Sequence, residues 1–159
     1  MEQIYIVLFL LFFVGFAIFV FTMLKRQLSR VFTENYTELK QRFSKPLYTW
    51  RFLSGFLNTK SIMPFWFRGM LKIDVYSDML IVSAVGQGLC IGYNQYILKQ
   101  KRELFMNCLV IEDLPVQNKS TFFWGPIDFG KTTYLQIGLS EKKIDIIMDL
   151  VRNNKNHKA

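Results

Sequence analysis

The chain has 159 residues, 51% of them apolar, and carries a formal net charge of +8. The single histidine, His157, falls in the expected disordered tail, which argues against a His-dependent triad, and one histidine cannot build a multi-His metal centre; Cys90 and Cys108, each in an apolar strand-like stretch, read as small buried core residues rather than a disulfide framework. The length suits one domain plus an anchor.

The apolar residues are unevenly spread. Residues 4–24 read IYIVLFLLFFVGFAIFVFTML, with no charge anywhere. At 1.5 Å per residue such a run spans roughly 31 Å, the thickness of a bilayer's hydrocarbon core. A helix that is apolar on every face is not a surface helix of a soluble domain. Glu2 and Gln3 precede the run, and Lys25 and Arg26 follow it. A cleaved signal needs a basic start and a small-residue cleavage site, and neither is present. A retained transmembrane anchor over residues 1–24 is the expectation. No basic residue precedes the run, while Lys25, Arg26 and Arg30 follow it, so positive charge predicts an N-terminus outside and a cytoplasmic body at the inner (plasma) membrane. Two glycosylation-type triplets, at Asn35 and Asn118, matter only for a lumenal body and are read as chance.

Residues 25–72 hold 10 basic and 2 acidic residues, whereas the rest of the chain from Ile73 holds 10 and 9. The excess positive charge therefore lies beside the anchor. Its expected partner is an anionic bilayer surface rather than nucleic acid, since each basic residue there contributes on the order of 1 kcal/mol.

Leu28, Val31, Phe32, Tyr36, Leu39 and Phe43 recur at helical spacing, and Pro46 stops the pattern. The anchor either continues straight to about Ser44 or bends there, to lie on the membrane or on the body's core. Next comes an aromatic stretch with Trp50, Arg51, Trp66 and Arg68. Half-wet aromatic rings beside basic residues suit the headgroup zone. Residues 25–66 are thus expected to be a basic, aromatic-rich, amphipathic helical juxtamembrane segment, with Lys25, Arg26, Arg30, Trp50, Arg51, Trp66 and Arg68 at the membrane surface.

From Gly69 the period becomes two. Residues 70–76, 79–85, 89–97, 104–111, 122–124 and 132–139 read as strands, with turns at Ser77-Asp78 and Gly86-Gln87-Gly88. No helix fits between them, so the sheet is antiparallel. Ser140 caps a final helix whose Ile144, Ile147, Met148 and Val151 share one face, and residues 153–159 read as a disordered tail. The fold class is α+β: a transmembrane helix, a helical linker and a small antiparallel sheet or barrel closed by the last helix, over residues 67–152. Lys99, Lys101 and Arg102 form a basic run at a hairpin end, a candidate partner-binding patch.

The order of strands, the Ser77-Asp78-Met79-Leu80-Ile81-Val82 turn and strand, the aromatic strand Leu89–Ile97 and the closing helix resemble the pleckstrin-homology-like fold of bacterial membrane-associated and GRAM domains. The resemblance covers residues 67–152 and implies a recognition scaffold. Phosphoinositide-binding members carry a basic cluster at the first hairpin; here Asp74 and Asp78 stand there, so that specificity is not implied.

No catalytic residue, metal site or cofactor is expected. Gly125-Pro126-Ile127-Asp128-Phe129-Gly130-Lys131-Thr132 matches the phosphate-loop pattern. But Pro126 lacks an N–H for a phosphate, and a strand-like rather than helical run follows. Glu112 and Asp113 are adjacent, and neighbours on a strand point to opposite faces. The expected function is non-enzymatic: a single-pass protein whose cytoplasmic body binds a protein partner or a lipid surface. Alternatives are a toxin-immunity protein at the inner membrane, suggested by the small, basic, Phe-, Ile-, Asn- and Lys-rich composition, and an accessory subunit of a larger membrane complex.

Overall fold

The computed structural model describes residues 2–29, 31–59, 62–103, 106–114 and 133–156. Helix α1 is Glu2–Leu28, and its segment Ile4–Thr22 has no face buried against the rest of the protein. It is the one described helix long and apolar enough to cross a membrane. Phe9 stacks on Phe13 and Phe12 on Phe16, each pair 6.4 Å apart, as neighbours four residues apart on a helix do. The Thr22 hydroxyl donates to the Ile18 carbonyl at 2.8 Å, so this hydroxyl is satisfied within the helix.

The linker differs from the expectation. Helix α1 stops at Leu28, where the Val31 and Phe32 amides fold back onto the Leu28 carbonyl. Strand β1 (Glu34–Asn35) and helix α2 (Tyr36–Arg42) follow. Asn35 caps α2 by accepting from the Thr37 amide at 2.9 Å. Among the described residues of the expected helical segment 25–66, then, only the end of α1 and this short helix are helical. The aromatic stretch forms strands β2 (Tyr48–Thr59) and β3 (Ile62–Val75). The domain boundary at residue 67 falls inside β3, so residues 48–66 belong to the same sheet as the remainder.

Strands β4 (Met79–Ala84), β5 (Gln87–Gly92), β6 (Ile97–Glu103), β7 (Met106–Glu112) and β8 (Tyr134–Gly138) complete an open antiparallel sheet, ordered β1-β5-β4-β3-β2-β8-β7-β6. Helix α3 is Glu141–Asn156. Residues 89–97 are two strands rather than one, because the chain turns after Gly92. The Gln95 amide closes that turn on the Gly92 carbonyl at 3.0 Å, and Tyr93 drops into the core with its hydroxyl on the Tyr76 carbonyl. The β4–β5 turn is Val85-Gly86, both at positive φ, rather than Gly86–Gly88. Helix α3 runs further than expected: Asn154 is helical, and its side chain donates to the Ser77 carbonyl, tying α3 to the β3–β4 turn. The expected strand at 122–124, the phosphate-loop-like segment and His157 lie outside the described residues.

One sheet face carries the main core. Alternate residues such as Phe67, Leu71, Ile73, Leu80, Val82, Ile91, Leu109, Ile111, Leu135 and Ile137 are buried there beneath Ile144, Ile147 and Val151 of α3. Leu28, Val31 and Phe32 join the same cluster. The opposite, outer face is roofed over β3–β5 by α2, through Leu39 on Tyr76, Met79 and Ile81.

The long β2–β3 hairpin serves both halves of the sheet. Its base, Tyr48–Leu53 with Leu71–Val75, joins β4; its tip joins β8 through Gly55 to Asn58. Register shifts between Trp50 and Leu53, and between Leu53 and Gly55, mark a bulge in each strand at this corner, and bulges bend the strands that carry them. Gly55 is required just past it: a Cβ there would lie 2.5 Å from Leu71 Cδ1 and 2.6 Å from the Gln136 carbonyl oxygen. Because backbone cannot give way, Gly55→Ala is expected to destabilise the fold by roughly 1–3 kcal/mol in a urea titration.

Candidate functional site

Two surfaces carry half of the side chains singled out from sequence. The first is the half of the outer face that α2 does not reach. Along β3, β2 and β8 it presents Trp66, Phe56 and Tyr134. The Trp66 and Phe56 rings lie 4.7 Å apart, and Phe56 and Tyr134 6.1 Å apart. Trp66 is 67% exposed. Among the described residues no helix covers this ladder.

The ladder leads into a shallow groove of about 310 Å³ lined by Lys99, Lys101, Val110, Glu112, Tyr134 and Gln136. Its walls are held by ion pairs: Lys99 to Glu112 and Lys101 to Glu103, each at 2.7 Å. Gln136 donates to the second Glu103 oxygen at 2.8 Å. The hydrogen bond from Lys101 holds the Glu103 carboxyl below its ordinary range and raises the Lys101 ammonium. These pairs are exposed, so they order the groove more than they stabilise the fold.

The basic run at 99–102 is not a hairpin end. It lies along β6, and alternation divides it. Lys99 and Lys101 pair with Val110 and Cys108 on the groove side; Arg102 pairs with Asn107 on the other face. The sequence patch is therefore split, with two of its three members in the groove.

The second surface is the corner of the β2–β3 hairpin. Arg51 and Arg68 are exposed there, and Phe52 and Met70 accompany them. Of the other expected membrane-surface residues, Lys25 is exposed at the end of α1, while Arg30 and the Arg26 side chain lie outside the described residues. Trp50 points elsewhere. It packs partly buried on the main core, with the Lys143 ammonium 5.3 Å from its ring centre.

Phe52, Met70, Phe56 and Tyr134 carried no site assignment in the sequence reading. Their common placement depends on the corner and on the β2–β8 pairing, which no local pattern announces.

Among the described residues no group of three or more His, Cys, Asp or Glu side chains is placed to hold a metal ion. Burial pushes the Cys90 thiol above its ordinary range, the reverse of what activates a nucleophile. Glu112 is committed to Lys99, and Asp113 ends the strand at a φ of 60°. Asp74, which the sequence places at the first turn, lies instead in a buried network with Tyr36, Thr49 and Lys72.

Comparison with protein-family models, curated proteins and solved structures gives no match.

Proposed function

We propose that this chain is a non-enzymatic, single-pass membrane protein whose cytoplasmic body captures a protein partner at the membrane through the uncovered Trp66–Phe56–Tyr134 face. The observation that carries this reading is the joint between α1 and the body. A helix with no buried face over Ile4–Thr22 runs, within four residues of its end, into Val31 and Phe32 at 0% exposure in the main core. Leu28, the last residue of the helix, is itself in that core, so the body is held directly beneath the proposed anchor. The cations that follow the apolar run, Lys25 and Arg26, support a cytoplasmic body. The meander β2–β5, the second meander β6–β8 returning to β2, and the closing helix α3 support a pleckstrin-homology-like recognition scaffold.

An exposed tryptophan stacked on a second aromatic is the kind of anchor that dominates protein interfaces. Its charged surroundings are paired internally, which favours an aromatic, shape-driven contact over a charge-driven one.

The test is a mild-detergent pull-down of the tagged full-length protein from its native membrane, with Trp66→Ala beside it. The expected result is one stoichiometric partner, retained at least about 30-fold less well by the variant, as for an interface hot spot. A toxin as that partner would establish immunity; a membrane-complex subunit would establish an accessory role. Equal capture by the variant rejects this face. Release of the full-length protein by a high-salt wash without detergent rejects the anchor.

A further inference from the structure

At the β2–β3 corner the backbone does something that no packing requirement explains. Phe52 sits at a φ of 56° with 84% of its surface in solvent. A bulky residue other than glycine rarely takes this conformation, and an exposed phenylalanine returns nothing to the core for it. Gly69, in the facing strand, also has a positive φ of 65°, and its amide donates to the Ser54 hydroxyl at 3.2 Å. A Cβ on Gly69 would lie 4.0 Å from the Phe52 carbonyl oxygen, so the bulges are side by side. Together they raise Phe52 and the 40%-exposed Met70 from the sheet. Arg51 and Arg68 flank them, and among the described residues neither arginine has an ion-pair partner.

The position is as informative as the composition. Phe32, four residues beyond the end of α1, meets the Phe67 ring edge-on at 6.0 Å. Phe67 leads directly into Arg68 and the β3 bulge. The corner thus lies where the chain enters the body from the helix.

We infer that this corner is a lipid wedge: Phe52 and Met70 enter the acyl–headgroup boundary of an anionic leaflet while Arg51 and Arg68 engage its phosphates. An apolar tip between unpaired cations is complementary to that interface, which is apolar beneath and negative above. This rests on the anchor proposed above and adds to it a second contact, one that refines how the body is turned on the membrane.

The test uses the full-length chain, with Cys90 and Cys108 replaced by alanine, in vesicles of phosphatidylcholine with and without phosphatidylglycerol. A polarity-sensitive fluorophore is placed at Phe52→Cys, or at Phe12→Cys within α1. The expected result at position 52 is a blue shift, quenching by nitroxide lipids and protection from iodide, strongest with phosphatidylglycerol. Replacing Arg51 or Arg68 by glutamine is expected to lower the ratio of docked to undocked body about fivefold each. Iodide quenching at 52 with lipid quenching at 12 overturns the wedge and leaves the anchor standing. Water exposure at both positions overturns the anchor as well. Shielding at 52 that appears in native membranes but not in pure lipid overturns the lipid assignment in favour of a protein contact. Hydrogen exchange of the unlabelled wild-type chain in the same vesicles is the control for folding. Slowed exchange over residues 51–54 with the anionic lipid agrees with the wedge, and unchanged exchange rejects it.

Discussion

Asp74→Ala is expected to destabilise the body by about 3–5 kcal/mol, the range for removing one partner of a buried charge pair. Asp74 is 1% exposed and accepts from the Tyr36 hydroxyl at 2.5 Å and the Thr49 hydroxyl at 2.6 Å, with the Lys72 ammonium 3.4 Å away. Lys72 also hydrogen-bonds the Tyr36 hydroxyl and lies 4.3 Å from the centre of its ring. The network joins α2 to β2 and β3 across the outer face. Without the carboxylate, Lys72 keeps a charge at 18% side-chain exposure with no counterion. Asp74→Asn preserves an acceptor and is expected to fall between wild type and alanine. The double replacement Asp74→Leu with Lys72→Met removes both charges and is expected to recover most of the loss. Urea titrations followed by intrinsic fluorescence read the three variants. A near-neutral Asp74→Ala would mean that water rather than α2 surrounds the carboxylate.

The same residue illustrates how far the sequence could be read. Asp74 sits three residues before the Ser77-Asp78 turn and reads as a solvated turn acid; only the fold of α2 over β3 reveals it as a buried acceptor. The apolar run of α1, the α+β class and the buried Ile144, Ile147 and Val151 face of α3 were legible, since each rests on local composition or a sustained period. The β2–β3 hairpin was not. Trp50, Leu53 and Leu57 face inward, but the extra residue at Phe52 breaks their alternation, and β3 carries its own bulge after Phe67. What remains visible is a cluster of aromatics, which a membrane interface would equally produce. The β4–β5 turn was misplaced for a related reason. Val85 takes a φ of 50°, a conformation that a β-branched side chain avoids, so the next glycines drew the assignment. The basic run at 99–102 was visible as charge, but its division between two faces required the β6–β7 register.

Phe32→Ala is expected to cost about 3–5 kcal/mol of body stability, as for a phenylalanine removed from a packed core, and also to free the body from the helix. Phe32 is fully buried, and its edge-on contact with Phe67 is the last in the series Leu28, Val31, Phe32 that seats the end of α1 in the core. Each such side chain contributes roughly 1.5–3 kcal/mol by burial, against on the order of 1 kcal/mol for a basic residue on an anionic leaflet. The joint therefore outweighs any single surface cation in holding the body close to the proposed bilayer, and the basic residues refine an orientation that packing has already narrowed. Fluorescence anisotropy of a body-attached label in vesicles separates the two contributions. Phe32→Ala is expected to lower the anisotropy markedly at any salt, while resistance to extraction by a high-salt wash is unchanged because α1 is intact. Phe32→Leu, which keeps most of the volume, is expected to lie close to wild type. Added salt, which screens surface charge, is expected to move the wild-type anisotropy only slightly. Equal anisotropy for Phe32→Ala and wild type would instead assign the body's orientation to its contacts with lipid.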